Sequence, residues 1–407
     1  MQKKFLTFSL ILLFIGCFPT KVDASDNFDL LIENTENTTI SILTCDPGNE
    51  IYSFFGHSAL RIQNPKLSIN WVINWGLFEF NEDQIQFGYD FAKGRLNYYV
   101  GIQEMPSFIY EYAYYKRGVR EQILNLNTSH KKKIINLVQK NYQPENRTYK
   151  YDFFYDNCST RIQVLLDEVF EDEIEWGINK DANKFTFREI IHKYLNKAPW
   201  LTLGIDLVLG KRIDVLVNNS HLMFLPDYIE KIADNTYINE KGNKEKLVSE
   251  NKIIINSQTT NQPILNITIY AWILFGITII LLVTQQAKLI NIWSCINLLS
   301  LAILGGILVF MWWGTDHQAT KYNFNLLWAS PLHLYLFSII IKPKWNLLNF
   351  WFILISMTLL FLTILFWFTL TQEFNPFIKP LILQLIIIYY YYFRKCKFHI
   401  NLLSTSN

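Results

Sequence analysis

The sequence predicts an α+β domain followed by an all-α membrane domain of about five transmembrane helices. Most charged residues lie before position 262, whereas apolar residues dominate after it. The N-terminal part changes from alternating strand patterns to apolar residues at helical spacing, and the C-terminal part contains five apolar runs. A chain of 407 residues also exceeds what one hydrophobic core usually organises, which favours two structural units.

The first 24 residues have the features of an export signal peptide. Two lysines precede an apolar stretch over 5–18, and small residues at 22–24 suit cleavage. The mature chain is then expected to begin at Ser25. An alternative takes 14–17 as an imperfect lipobox, which would leave Cys17 as a lipidated N-terminus.

Five apolar runs predict the membrane domain, and they lie at about 264–284, 290–313, 326–341, 347–370 and 377–393. Three of them reach the ~20 residues that cross a hydrocarbon core, and the third and fifth are near the lower limit of ~17. A soluble helical domain is the alternative, but its helices would carry amphipathic stripes, whereas these runs are apolar all round.

The charged loops predict the orientation. Lysine and arginine cluster in alternate loops, at Lys288, at Lys342 with Lys344, and after position 393. Placing these clusters on the cytoplasmic side puts 25–262 outside, the side that the signal peptide also predicts. We therefore expect a multi-pass protein of the cytoplasmic (inner) membrane with its N-terminal domain in the periplasm or extracytoplasmic space.

The outer part divides by pattern. Alternation at 39–44, 59–63 and 70–80 predicts a short antiparallel sheet, and helical spacing at 129–142 and 161–170 predicts helices. The expected order is signal peptide 1–24, extracytoplasmic catalytic domain 25–238, polar linker 239–262, transmembrane domain 263–394 and cytoplasmic tail 395–407.

Composition excludes two classes of function. A net charge of +2 spread over both signs gives no basic surface for nucleic acid, and no RNA or DNA module is visible, so we expect no nucleic-acid partner. The outer domain shows no paired His or Cys at ligand spacing, which disfavours a metal site. No cofactor is expected.

Two cysteines of the outer domain are chemically interesting. Cys45 and Cys158 would form a disulfide in an oxidising compartment, and this alternative stays open at the level of the sequence. Cys158, however, follows Asn157 at the start of a predicted helix, where free backbone N–H groups and the helix dipole lower the pKa of a thiol. This context favours a nucleophilic thiolate.

A cysteine nucleophile requires a base that titrates near neutral pH. His57 is the candidate, at the head of a predicted strand, where Gly56 would let another chain segment approach closely. His130 and His192 fall in charged helical surroundings and are expected to be solvated, and His221 is expected in a loop. Alone, His57 would be read as structural, and its pairing with a helix-start Asn-Cys favours catalysis.

Several separated motifs now carry a resemblance. They are Leu43-Thr44-Cys45-Asp46-Pro47-Gly48, Phe55-Gly56-His57-Ser58-Ala59-Leu60-Arg61, Asn74-Trp75-Gly76-Leu77-Phe78, Tyr151-Asp152-Phe153-Phe154-Tyr155-Asp156-Asn157-Cys158-Ser159-Thr160-Arg161, Pro199-Trp200, Phe224-Leu225-Pro226 and, in the membrane part, Thr315-Asp316-His317 and Asn323-Phe324-Asn325. In this order they resemble the Lnb N-terminal periplasmic domain family. The likeness covers nearly all of the outer domain.

That resemblance implies lipoprotein N-acylation. An acyl chain would pass from a phospholipid donor to the N-terminal amine of a diacylglyceryl lipoprotein. The order of His before Asn-Cys is also similar to permuted papain-like thiol enzymes of the NlpC/P60 and lecithin:retinol acyltransferase type, which implies that fold for the outer domain and a thioester intermediate.

The resemblance gives each site residue an expected role. Cys158 would be the nucleophile, His57 the general base, and Asn74 the group that orients the imidazole, with a turn residue at the strand edge as the alternative for Asn74. Asn157 is expected to support the site by fixing the loop. Backbone N–H groups of Cys158 and Ser159 would form the oxyanion hole.

Two further residues are expected to bind or support substrate. Arg161 would assist the site or bind a lipid phosphate. His317, beside Asp316 in an outer loop of the membrane part, would bind a headgroup or shape acyl entry, with a simple helix cap as the alternative.

Two rival functions remain open for the sequence. One is a papain-like hydrolase of peptidoglycan peptides or lipids. The other is a non-enzymatic envelope scaffold or receptor, stabilised by a disulfide between Cys45 and Cys158. The sequence does not decide the acyl chain length, the donor lipid or the oligomeric state.

Overall fold

A computed structural model describes residues 25–50, 53–78, 83–240, 242–257, 266–343 and 345–405. The predicted signal peptide and the competing lipobox lie outside the described residues. Within the described chain, a mixed α/β N-terminal part is followed by a helical C-terminal region.

A seven-stranded sheet organises the N-terminal part, in the order β10-β5-β1-β2-β3-β4-β6. A small sheet of β7, β8 and β9 lies beside it. The strand bounds are β1 Thr39–Cys45, β2 His57–Asn64, β3 Ile69–Phe78, β4 Asn97–Glu104, β5 Val119–Leu124, β6 Thr148–Lys150, β7 Ile174–Glu175, β8 Tyr237–Glu240, β9 Asn243–Lys246 and β10 Val248–Ile255.

Helices cover both faces of this sheet. Their bounds are α1 Ser25–Glu33, α2 Gln84–Lys93, α3 Met105–Tyr114, α4 Thr128–Tyr142, α5 Cys158–Phe170, α6 Phe187–Leu195, α7 Pro199–Val208, α8 Asn219–Leu222 and α9 Pro226–Ala233. The strands and helices predicted in the outer part are present, and the helix expected from 161 begins three residues earlier, at Cys158.

Strand alternation explains the two hydrophobic cores. Leu60 and Ile73 are directly opposed on β2 and β3, and they belong to the larger core, which includes buried residues of α4 and α5. Leu43 and Ala59 point to the other face and belong to a smaller core with residues of α3. Since both faces are covered, the central strands are almost wholly buried.

The predicted linker is wrong over most of its length. Residues that were expected to form a flexible connection instead form β9 and β10, and β10 pairs with β5 at the edge of the large sheet. Most side chains of β10 are exposed, which explains its Ser, Glu, Asn and Lys content. Only backbone pairing makes this segment a strand, so its composition resembled a linker.

The C-terminal region is helical, with bounds α10 Thr268–Val283, α11 Ala287–Trp313, α12 His333–Ile341, α13 Leu347–Leu365 and α14 Ile378–Thr405. Among the described helices, α11 and α13 are each long and apolar enough to cross a membrane. The third predicted span is shorter than expected: 324–327 form a 3₁₀ turn, and Pro331 precedes α12. The predicted tail from 395 continues α14.

Side chains of the helical region cap a helix of the N-terminal part. The amides of Asn323 and Asn325 donate to the carbonyl oxygens of 206–208, at the C-terminal end of α7, at 2.7 to 3.1 Å. These carbonyls have no partner within their own helix, so the cap replaces water. Gly210 follows at a point where a side chain would collide with the carbonyl oxygen of Lys321.

A buried ion pair lies at the same junction. Arg188 is fully buried and donates to Asp206 at 3.0 Å and to Asp214 at 2.7 Å. The second carboxylate oxygen of Asp206 accepts from Asn375, which precedes α14, at 2.9 Å. One carboxylate therefore links the two parts of the chain, and a buried charge of this kind is costly to leave without its partners.

Gly210→Ala should destabilise the protein by about 1–3 kcal/mol, because a methyl group would force the backbone away from Lys321. Gly204→Ala is the matched control, since nothing lies within 4 Å of a Cβ at that position of α7, and helix propensity predicts a gain of up to ~1 kcal/mol. Thermal unfolding of both full-length variants in one detergent measures the difference. Equal shifts for the two variants would contradict the close approach at Gly210.

Candidate active site

Asn157 fixes the start of helix α5. Its side-chain oxygen accepts from the backbone N–H of Ser159 at 2.8 Å and of Thr160 at 3.0 Å. Its amide nitrogen donates to the carbonyl oxygens of Phe153 at 2.6 Å and Phe224 at 2.8 Å. Asn157 is only 2% exposed, so all of its hydrogen-bonding capacity serves the loop before Cys158. This position agrees with the loop-fixing interpretation.

Cys158 is the first residue of α5 and is mostly buried. Burial opposes a negative charge on its sulfur, but the imidazole of His57, the backbone N–H of Ser58 and the Ser159 hydroxyl outweigh that cost and hold the pKa of the thiol below its ordinary value. The surroundings thus favour the thiolate.

His57 lies between the thiol and Asn74. Its Nε2 is 3.0 Å from the side-chain oxygen of Asn74, so this nitrogen carries the proton and Nδ1 is left to face the sulfur. Burial opposes the imidazolium, but the Cys158 thiolate and the hydrogen bonds to Cys158 and Asn74 raise the pKa of His57. The two shifts are opposite and favour a thiolate–imidazolium pair.

The structure thus brings together the three residues that the sequence placed in a catalytic group. Asn74 is itself buried, and its amide points to the side-chain oxygen of Gln103 on β4, at 3.5 Å. Gln103 in turn points to Glu111 of α3, at 3.5 Å. Sequence reasoning missed this second layer, because Gln103 carries no local signal and meets Asn74 only through strand pairing.

The approach of β2 to α5 depends on small groups. Gly56 has φ +80°, and a Cβ there would lie 2.6 Å from the carbonyl oxygen of Cys45, which confirms the predicted close approach. The hydroxyls of Ser58 and Ser159 are 2.9 Å apart and join the head of the strand to the helix. His57 is held beside Cys158 by this contact.

Cys45 and Cys158 are both free thiols, which corrects the disulfide alternative. Cys45 is directly opposite His57 in the strand register and packs in the smaller core, against the α3 face of the sheet. Burial raises the pKa of Cys45 to about 12. The two cysteines therefore differ in chemistry: Cys45 stays a neutral core thiol, whereas Cys158 has a base beside it.

Two expected roles do not fit. The backbone N–H of Ser159 donates to Asn157, so it is not available for an oxyanion hole, and this half of the prediction was wrong, whereas the N–H of Cys158 stays a prediction. Arg161 forms a two-point ion pair with Asp156 and lies 4.0 Å above the ring of Tyr149, so its charge is already compensated. Both outcomes follow from contacts of the loop before Cys158, where Asn157 caps the helix and Asp156 pairs with Arg161.

Two partly buried tyrosines that interact with the charge of Cys158 were also missed. Burial raises the pKa of Tyr149 and of Tyr151, and a negative charge on Cys158 raises both further. Both phenols therefore keep their protons. Their motif neighbours are visible in the sequence, but the pairing of β6 with β4 that places Tyr149 is not.

His317 is not part of the catalytic group. Its Nε2 is 3.1 Å from the carbonyl oxygen of Phe91, near the C-terminal end of α2, and the adjacent Asp316 pairs with Arg95 at 2.9 Å. This contact is closer to the helix-cap alternative, although the capped helix belongs to the N-terminal part. The loop holding His317 joins the two parts of the chain.

Three other histidines lie differently from the expectation. His130 is buried against Phe170, and His192 accepts or donates a hydrogen bond at 2.8 Å to Asp206, so neither is simply solvated. His221 lies in the short helix α8 instead of a loop. In the part of the chain that the structure covers, no three His, Cys, Asp or Glu side chains group as a metal site would require.

Alkylation of the full-length protein with iodoacetamide tests the ion pair. Cys158 should reach its full rate at a lower pH than an ordinary thiol does, since its surroundings hold its pKa below the ordinary value. Cys45 should stay unlabelled up to strongly alkaline pH. His57→Ala should shift the Cys158 profile upward in pH. Mass spectrometry of the labelled peptides gives each rate, and an ordinary thiol profile for Cys158 in the unaltered protein would contradict the pair.

Comparison with protein-family models identifies the family of the chain. Residues 24–193 match the model of the Lnb N-terminal periplasmic domain, and residues 256–398 match the model of the Lnb transmembrane domain. No curated protein and no solved structure matches the chain significantly. Since the two matched segments occur in order and cover most of the sequence, the chain belongs to the Lnb family and is a membrane protein with an extracytoplasmic N-terminal part.

Proposed function

We propose that this protein is a membrane-bound thiol acyltransferase that moves an acyl chain from a phospholipid to the N-terminal amine of lipoproteins. The observation that carries the proposal is the group of Cys158, His57 and Asn74, with a thiol of lowered pKa at a helix start and an imidazole oriented by an amide. The resemblance to a lipoprotein-acylating family gives the substrate classes.

The first half-reaction forms a thioester. The Cys158 thiolate attacks the ester carbonyl carbon of the phospholipid, so that a carbon–sulfur bond forms and the ester carbon–oxygen bond breaks. The leaving alkoxide takes its proton from the His57 imidazolium and departs as the alcohol of a lysophospholipid. Asn74 keeps the ring oriented throughout by accepting from Nε2.

The second half-reaction transfers the acyl chain. The acceptor amine attacks the thioester carbonyl, His57 takes the proton from nitrogen, and the carbon–sulfur bond breaks to restore the thiolate. Tyr149 and Tyr151 are our candidates for stabilising the oxyanion in both steps, because they are neutral O–H donors near the sulfur.

The burial of the Cys158 thiol supports transfer of the acyl chain to an amine over hydrolysis of the thioester by water. Cys158 is 9% exposed, and the preceding Phe153 and Phe154 pack against each other and against Phe224. A site with few water molecules lets an amine compete for the thioester. The free thiols of Cys45 and Cys158 weigh against the disulfide-stabilised scaffold.

The permuted papain-like arrangement is part of the same proposal. The base stands on β2 and the nucleophile begins α5, which packs against β2 and β3. We also propose a cytoplasmic (inner) membrane location and about five membrane spans, for which the alternating lysine and arginine loops are the support.

Mass spectrometry of lipoprotein N-termini tests the reaction in cells that depend on this protein. Cys158→Ser and His57→Ala should abolish N-acylation, and Asn74→Ala should slow it about ten- to a hundredfold, because only the hydrogen bond that orients the charged imidazole is lost. Cys295→Ser is the control, since this thiol lies on α11 and should not affect the reaction.

Equal membrane levels of all four variants must be confirmed by immunoblotting. Unchanged lipoproteins in cells with Cys158→Ser would overturn the proposal. Turnover of a soluble cell-wall peptide that needs Cys158, without any acylated amine product, would favour the hydrolase instead.

A further inference from the structure

Two cations gather around one aromatic ring of the outer loop that follows α11. Lys211 Nζ lies 5.8 Å from the ring centre of Tyr322 and 5.5 Å from that of Phe324. The guanidinium of Arg212 lies 5.6 Å from the Tyr322 ring. Both belong to the turn after α7, which lies between the two family-matched segments.

These two charges have no carboxylate partner among the described residues, unlike three arginines elsewhere in the structure. Arg161 pairs with Asp156, Arg95 pairs with Asp316, and Arg188 lies between two carboxylates. Arg212 donates to the neutral side chain of Gln318 at 2.6 Å. Since Arg212 is exposed and Lys211 is partly exposed, an anion can reach both.

The aromatic residues around Lys211 and Arg212 indicate how deep these two cations lie relative to the membrane surface. Trp312 and Trp313 end α11, which is long and apolar enough to cross a membrane, and their rings stack at 4.2 Å. Trp312 also contacts Tyr322 at 5.6 Å. Tryptophan and tyrosine concentrate at the headgroup level of a bilayer. Lys211 and Arg212 therefore lie where lipid phosphates lie.

A short chain of contacts connects this turn to the nucleophile. Three residues after Arg212, the carbonyl oxygen of Val215 accepts from the backbone N–H of Phe187 at 3.3 Å. The Phe187 ring packs against Phe154 at 5.2 Å and against Tyr155 at 5.7 Å. Tyr155 precedes Cys158 by three residues. Arg212 is also near enough to Tyr155 to counteract, in part, the rise that burial causes in the pKa of its phenol.

We propose that Lys211 and Arg212 form the subsite for the phosphate of the phospholipid donor. This inference rests on the proposed acyl transfer. In a glycerophospholipid only a few bonds separate the phosphate from the ester carbonyls, and the contacts that run through Phe187 to Tyr155 are the support for placing such an ester toward the Cys158 loop. Arginine and lysine bind phosphate by charge-assisted hydrogen bonds. The assignment replaces Arg161, whose charge Asp156 already compensates.

Acylation of Cys158 by two kinds of donor tests the subsite. Full-length protein in neutral-detergent micelles receives either a phosphatidylglycerol or a p-nitrophenyl ester with the same acyl chain, and intact-mass spectrometry follows the thioester. Arg212→Gln and Lys211→Gln should each lower the rate per unit of phospholipid about tenfold or more, and leave the rate with the phosphate-free ester unchanged.

Matched controls exist for both changes. Arg147 lies 5.7 Å from the ring of Tyr99 and Lys231 lies 5.6 Å from the ring of Tyr228, so Arg147→Gln and Lys231→Gln remove similar cations elsewhere and should change neither rate. An equal loss with both donors, or no loss with the phospholipid, would overturn the subsite.

A binding measurement separates this inference from the chemistry. Full-length Cys158→Ser protein should bind a fluorescent short-chain phosphatidylglycerol more tightly than the matching diacylglycerol, and Arg212→Gln in that background should remove the difference. Millimolar inorganic phosphate should displace little of the lipid if the acyl chains contribute to binding. Strong displacement by phosphate alone would mean a free-anion site and would overturn the lipid assignment. The Cys158→Ser protein could keep the binding difference while the active protein forms no thioester. That result would reject the proposed function and leave the phosphate subsite in place.

Discussion

The amide of Asn157 is the constraint on which the candidate site depends. It satisfies two backbone N–H groups of α5 and two carbonyl oxygens of separate segments, so one side chain fixes where the helix begins and which residue stands first. Cys158 takes that first position, and the helix start then meets the head of β2. The Asn74 side chain orients His57 from the neighbouring strand β3. The chemistry is thus assembled from a helix cap and a sheet register, both of which are ordinary elements of folding.

The same cap limits what the helix start can offer. The backbone N–H of Ser159 holds a capping side chain and does not also bind a developing oxyanion, so this donor has to be replaced by another group. Tyr149 and Tyr151, which lie on and beside β6, retain their protons, because burial and the charge of Cys158 both raise the pKa of each phenol. In the proposed reaction, the residues that favour the thiolate and the tyrosines that would bind the transition state therefore lie on different elements of the fold.

Local chemistry was readable from the sequence, and distant pairing was not. The Asn-Cys-Ser-Thr run announces a helix start, and the glycine before His57 announces a close approach, because both effects arise within a few residues. Strand β10 was mistaken for a linker because its side chains face solvent and only its backbone is paired. His192 was judged by its charged neighbours in the sequence, whereas its partner Asp206 comes from the next helix. The pair of Arg161 and Asp156 is a local exception, because the sequence alone does not give the side-chain geometry of that loop.

The shared cap of α7 has a consequence for how such chains change over time. The helix belongs to the N-terminal part, but the asparagines that satisfy its last carbonyls belong to the helical region, and Asp206 is completed by a residue before α14. At the junction, neither part alone satisfies all of its buried hydrogen-bonding groups. Recombination that exchanged one part for that of a distant relative would leave unpaired carbonyls or a partly unsatisfied buried carboxylate, so the two parts have to be inherited and diversified together.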